Sequence, residues 1–293
     1  ETIKDKSGKE VVFEQTGTKL ANVGKLTIKT DGTIAHENID LSAVEEDADA
    51  KAYIAGITEK FDALQKKVVA KTTVTLTTKG ADGKRAVRNA ETNLGDLCAD
   101  AYRLLLGADV AFVNGGGVRA DINAGDITYG DIINVHPFGN SACLVEVTGQ
   151  QLKDALELGS AAYPGESGGF LQVSGLTYTI NADIPSSVVK NDKSEFVKVD
   201  GAYRVSDIMV GGQPLDVNKT YTLASHNYML KDAGDGYTMF GTKNVKVLQD
   251  EVMIDNQVLI NYIVDKLGGV VGEQYAAPQG RITIKTAASD VPT

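Results

Sequence analysis

Asp109-Val110-Ala111-Phe112-Val113-Asn114-Gly115-Gly116-Gly117-Val118-Arg119-Ala120-Asp121-Ile122 is the stretch that decides how this 293-residue chain folds. Asp109 to Val113 alternate and favour β structure, so they read as a buried strand, and Asn114 to Gly117 form its tight exit. Three glycines in a row bare the backbone N–H groups, and Arg119 brings a guanidinium to the same spot. That combination suits an anionic or polyol ligand at the C-terminal edge of a sheet. A sharp loop with no ligand is the plain alternative. Two known phosphate cradles fail on the residues. A P-loop needs a lysine followed by Ser or Thr at fixed spacing, which is missing. Gly115 to Ala120 fit the dinucleotide fingerprint literally, but Asp121 to Gly125 form a turn sequence instead of opening a helix. The acidic residue expected about 20 positions on is replaced by Pro137-Phe138-Gly139-Asn140.

Composition narrows the possibilities around this turn. The hydrophobic share of 42% is that of an ordinary globular protein. The formal net charge of −10 argues against nucleic acid or an anionic membrane as the main partner. No apolar run is long enough for a membrane span, and the chain opens Glu1-Thr2-Ile3-Lys4 with no signal peptide, as a mature or excised segment would. Cys98 and Cys143 read as small buried side chains and leave the compartment open. The three histidines, His36, His136 and His226, are isolated in sequence. They lack the local spacing of a dinuclear metal site or a Ser-His-Asp triad, so no metal or cofactor is expected in this chain.

Residues 8 to 43 read as short β runs split by glycines. From Asp47 to Val69, Ala48, Ala50, Ala52, Ile54, Ile57, Phe61 and Leu64 recur at helical spacing, with Ser42 and Glu45 as a candidate capping box. This predicts a long linker helix over 46–70. Beyond it, strands are predicted at 72–78, 109–113, 143–147, 171–180 with a break at Gly175, 206–210, 220–225 and 281–285. Helices are predicted from about Asn93, at 129–135, 150–158 and 252–267. Strands and helices mixed without strict βαβ alternation predict an α+β (mixed α/β) domain of roughly 210 residues.

Two aromatic positions stand out. Phe138 lies in His136-Pro137-Phe138-Gly139-Asn140, and Tyr228 lies in Ser225-His226-Asn227-Tyr228, just before Ala233-Gly234-Asp235-Gly236-Tyr237. A lone aromatic is usually core, but two in loops after strands suit stacking on a flat ring. Asp235 reads as a turn residue or as an acceptor for sugar hydroxyls. Arg88, ahead of a helix N-terminus, and Arg119 suit a phosphate or pyrophosphate.

These pieces in order, Arg88 with Asn93-Leu94-Gly95-Asp96, Asn114 to Arg119, His136 to Asn140, Gly168 to Gly175, and Asn227-Tyr228 with Gly234 to Tyr237, resemble the C-terminal substrate-binding domain of the 5'-nucleotidase and UDP-sugar hydrolase family. Residues 1–45, with Gln15 to Gly24, look like the last strands of that family's metallophosphoesterase domain, 46–70 like its interdomain helix, 71–287 like the C-terminal domain, and 288–293 like a tail. The resemblance implies that two divalent metal ions and the catalytic residues sit in an N-terminal domain of the same parent chain. It implies that Phe138 and Tyr228 sandwich the base of a nucleotide or nucleoside, and that Asn114, Asn140 and Asp235 bond base edge and ribose. Arg88 and Arg119 would hold the phosphate side, and Gly168 would leave room. Tyr228 stands where phenylalanine is common, the interval from Tyr228 to Asp235 is one residue longer than usual, and Lys84 stands where some members carry arginine. The implied function is nucleotide recognition for a secreted phosphohydrolase (extracellular, cell wall or periplasmic) by a fragment inactive on its own. A stand-alone nucleoside-binding module is the alternative.

Overall fold

A computed structural model describes residues 2–286; the tail read at 288–293 lies outside the described residues. The chain divides into two units, Glu1–Phe61 and Asp62–Thr293.

In the first unit, Thr2–Lys4 pairs antiparallel with Glu10–Val12, and Asn22–Ile28 with Ile34–Asp40. The helix Ala48–Gln65 begins there and buries none of its residues; Ile54 and Phe61 of its apolar stripe are exposed. Its start differs from the expected one. Ser42 lies in a 3-10 turn, Leu41–Ala43, whose cap is the carboxylate of Asp40. The residue bonding into the long helix is Asp47, which accepts from the Ala50 N–H at 2.8 Å. The helix also stops at Gln65, short of residue 70. The β-branched pair Val68-Val69 opens a strand, Val68–Thr72, that pairs antiparallel with Gly125–Thr128. The strand expected at 72–78 therefore lies earlier in the chain.

The second unit is a mixed α/β domain built on a five-stranded sheet, in the order Lys246–Gln249, Ala142–Thr148, Thr220–His226, Val110–Asn114 and Leu171–Ser174. Only Thr220–His226 and Val110–Asn114 run parallel. Alternation sorts side chains to two cores. Ala111 and Val113 join Leu94, Leu97 and Cys98 of the helix Asn93–Leu106. Val110 and Phe112 join Leu152, Ala155 and Leu156 of the helix Gly149–Ser160 on the other face. Leu97 is fully buried; a Leu→Ala change at such a site costs about 2–5 kcal/mol. Both cysteines are free and buried.

Caps set the helices. The Thr92 hydroxyl accepts from the Gly95 N–H at 3.1 Å, and Gly107 closes that helix in the left-handed region at φ 68°. Thr128 with Asp131, and Thr148 with Gln151, form reciprocal capping boxes. The last predicted helix is shorter than expected: Asp255–Asn261 is α-helical and Tyr262–Lys266 widens into a π turn. A second sheet orders Gln213–Pro214, Val205–Val210, Leu176–Asn181 and Ile282–Lys285. No helix among the described residues is long and apolar enough to cross a membrane.

Strand direction decides where the loops meet. The parallel strands Val110–Asn114 and Thr220–His226 end at one sheet edge. The antiparallel strands Ala142–Thr148 and Leu171–Ser174 begin there, with Ala142 opposite His226 and Leu171 opposite Asn114. The glycine turn, the Phe138 loop, the Gly168 segment and Tyr228 therefore converge; Tyr228, expected in a loop, instead lies in a short helix, Asn227–Leu230.

Candidate functional site

That convergence encloses a cavity of about 390 Å³ lined by Arg88, Asn114, Gly116, Gly117, Phe138, Asn140, Gly168, Tyr228 and Asp235. Of the residues that the sequence assigns to the ligand, only Arg119 is not on its wall. Arg119 is exposed, and its guanidinium lies 5.7 Å from the centre of the Phe138 ring, within cation–π range.

Each glycine of the turn Gly115–Gly117 answers a close approach. A Cβ on Gly115 would collide with the Val87 carbonyl oxygen, one on Gly116 would fall 3.0 Å from that of Gly168, and one on Gly117 2.6 Å from Asn114 Oδ1. The N–H groups of Gly115 and Gly116 donate to the Phe170 and Gly168 carbonyls, both at 2.7 Å. Two of the bared donors are thus already used to fasten the turn to the Gly168 segment. A Cβ on Gly168 itself would meet only Gly116 Cα, at 3.9 Å, so a side chain there would obstruct the cavity and not the fold.

Polar groups form a connected edge. Asn114 Nδ2 donates to Asp235 Oδ2 at 2.7 Å, and the Tyr228 hydroxyl donates to Asp235 Oδ1 at 2.9 Å while accepting from the Asp235 N–H at 3.0 Å. Asp235 lines the cavity, and Ala233 and Asp235 both take up the left-handed region, at φ 54° and 53°. Burial and the nearby Asp235 carboxylate push the Tyr228 hydroxyl above its ordinary pKa, keeping it a donor. Asn140 donates its backbone N–H and, at 3.4 Å, its side-chain amide to Asp255 Oδ2.

The aromatic rings differ in exposure, Phe138 at 60% and Tyr228 at 38%. Arg88 is half-buried, and burial together with the charges of Arg85 and Arg119 lowers its pKa. The Glu166 and Asp235 carboxylates offset part of that effect.

Sequence reading missed three contributors. Arg85 forms a forked pair with Glu166, through Nε at 3.1 and 3.0 Å and through a terminal nitrogen, and its charge acts on Arg88. Lys84 instead is exposed and pairs with Asp82 at 3.7 Å. The remaining two are histidines. His136 Nδ1 donates to the Gly117 carbonyl at 3.1 Å, and His226 Nε2 lies 3.0 Å from Asn114 Oδ1. Burial holds both below the ordinary histidine pKa, His226 down to about 3. Among the described residues no group of three or more His, Cys, Asp or Glu side chains is placed to hold a metal ion.

A family model described as the 5'-nucleotidase C-terminal domain matches residues 68–242. The chain is 34% identical over 206 residues, 67% of its length, to the trifunctional nucleotide phosphoesterase protein YfkN of Bacillus subtilis, and spans 13% of that protein. It is 32% identical over 266 residues, 86% of its length, to the cell wall protein Lmo0130 of Listeria monocytogenes, and spans 30% of it. Its whole length superposes on the crystal structure of a 5'-nucleotidase precursor from Thermus thermophilus, with a TM-score of 0.64 and 29% identity, over 54% of that chain.

Proposed function

On the premise that the chain belongs to the 5'-nucleotidase family through its C-terminal domain, we propose that it is the nucleotide-recognition part of a metal-dependent phosphohydrolase. The base lies between Phe138 and Tyr228; Asn114, Asn140 and Asp235 meet the base edge and ribose; Arg88 and Arg119 attract the phosphate side; Gly168 leaves room. The observation that carries this reading is a single cavity of about 390 Å³ whose wall joins two aromatic rings, a carboxylate, two amides and an arginine. Small-ligand sites combine an apolar body with a few polar groups in this way.

Hydrolysis is assigned to an N-terminal domain of the parent chain with its two divalent ions, as the family resemblance implies; the family model that matches this chain is that of the C-terminal domain. The fragment alone recognises its ligand without turning it over. The similarity to a Listeria cell wall protein supports an extracellular, cell wall or periplasmic parent.

Two stacked aromatics contribute about 2–6 kcal/mol by the per-base range, against at least ~4 kcal/mol for lost freedom on association. Stacking alone therefore leaves at most about 2 kcal/mol, and hydrogen bonds from the polar edge, about 0.5–1.5 kcal/mol each, are needed to bring AMP or adenosine to the millimolar range, about −4 kcal/mol. The test is the melting temperature with and without adenosine, and phosphate release from AMP with added divalent metal. A small upward shift, lost in Phe138→Ala, with no release supports the reading; an equal shift in the variant sinks the sandwich, and metal-dependent AMP hydrolysis refutes the division of labour.

A further inference from the structure

His226 is buried behind the cavity wall, two residues before Tyr228, and nothing in its sequence neighbourhood gives it a task. Its surroundings do. Asp235 Oδ2 lies 2.7 Å from the Asn114 side chain, and a carboxylate only accepts, so the amide must present Nδ2 to it. The reversed amide would set two oxygens at that distance. Asn114 Oδ1 therefore faces His226, and the ring nitrogen 3.0 Å away, Nε2, must carry the proton. The other ring nitrogen, Nδ1, is then a bare acceptor, enclosed with no hydrogen-bond partner on another of the described residues. A leucine or methionine would fill the same volume without an idle buried acceptor, so packing alone does not account for a histidine here. Gly117 is shaped to the same arrangement, since a Cβ there would strike Asn114 Oδ1 at 2.6 Å.

We infer that His226 is a positioning residue for ligand recognition: its Nε2–H fixes the amide of Asn114 so that Nδ2 faces Asp235 and the cavity. The inference rests on the reading of that cavity as a nucleoside site. Asn114 uses one amide hydrogen on Asp235, and the second has no acceptor among the described residues. The ligand thus meets a donor beside an acceptor. A hydroxyl group, which accepts and donates at once, matches that pair.

The test uses the full 293-residue chain. Nitrogen-15 NMR of labelled histidine reads the tautomer directly, and calorimetry with adenosine reads affinity. His226→Leu, which keeps the volume but removes the N–H, is expected to weaken adenosine binding about tenfold, the loss of one buried hydrogen bond. His226→Gln, whose terminal amide can still donate, is expected to recover most of it. An Nε2–H tautomer with this loss and rescue supports the inference. An Nδ1–H tautomer, a His226→Leu chain with wild-type affinity, or a His226→Gln chain as weak as a folded His226→Leu chain overturns it. If His226→Leu does not fold, the tautomer and the His226→Gln affinity decide. If the wild-type chain takes up no adenosine, the nucleoside reading fails by itself, while the tautomer still decides how Asn114 is held.

Discussion

Phe138 and Tyr228 each follow a buried histidine by two residues, one histidine bonding the Gly117 carbonyl and the other the Asn114 side chain just before the glycine turn, yet the two aromatic walls are built differently. The Phe138 ring is mostly exposed, and next to it Gly139, at φ 68°, would bring a Cβ only to ordinary contact with Ile254. The Tyr228 ring lies on Gly234, and its hydroxyl is bonded twice to Asp235. One wall is therefore fastened by hydrogen bonds within the protein, whereas the ring of the other is mostly exposed and has the Arg119 guanidinium 5.7 Å from its centre. On the proposed reading of the cavity, the Tyr228 side offers polar groups already in register and the Phe138 side stays open.

The strongest way to break that contrast is Gly234→Ala. Its Cβ would collide with the Tyr228 ring, which must swing away and release Asp235. Loss of one stacking face, about 1–3 kcal/mol, plus the hydroxyl's bonds, is expected to remove measurable adenosine binding in calorimetry; Gly139→Ala, which meets no collision but strains a left-handed backbone by about 1–2 kcal/mol, should weaken it less.

Acid is expected to act through the histidines behind the walls. A free histidine in the unfolded chain titrates near about 6.5, whereas burial holds that of His226 at about 3 in the folded chain. Between these values the unfolded chain binds a proton that the folded one does not, so stability is complete above the unfolded value and falls as pH drops below it, by about 1.4 kcal/mol per unit. Urea unfolding of wild type and His226→Gln at neutral pH and at pH about 5 isolates this contribution, and parallel pH profiles would exclude it.

Tyr228→Phe sharpens the comparison more gently. It keeps the ring and removes a hydroxyl that donates to and accepts from Asp235. A loss of about 0.5–1.5 kcal/mol of unfolding free energy is expected, with a larger fall in affinity for adenosine than for adenine, since Asp235 is assigned to the sugar. Lys84→Ala belongs to neither wall. An exposed lysine paired with an exposed aspartate should change stability by less than about 0.5 kcal/mol and leave affinity untouched; a clear loss of AMP binding would restore Lys84 to the phosphate end.

Local chemistry makes much of this legible. The period-two run ending at three glycines marks the strand Val110–Asn114 and its turn, and Thr148 marks the start of its helix, whereas the capping box of Thr128 with Asp131 emerges only in the structure. Loops interrupted by proline and glycine point to Phe138 and Tyr228. What stays hidden depends on partners far away in the chain. Gly125–Thr128 reads as part of a turn until Val68–Thr72 pairs with it, and the hairpin of Val188–Lys190 with Phe196–Val199 has little alternation of its own. Ser42 resembles a cap because Asp40, Ser42 and Asp47 offer competing acceptors within one short segment. Arg85 carries no signal by itself because its significance comes from Glu166, and His226 none because its partner is Asn114.

The central sheet has one more consequence. Its parallel pair and the two antiparallel neighbours are the frame on which chain positions as distant as Arg88 and Asp235 become neighbours. No short peptide cut from this protein could keep the pocket, and no single loop could be grafted elsewhere with its selectivity intact. Within the pocket the walls should therefore open unevenly: the Gly115 and Gly116 N–H groups, bonded to the Phe170 and Gly168 carbonyls beside the core strand, are expected to exchange more slowly than those of the exposed Phe138 loop.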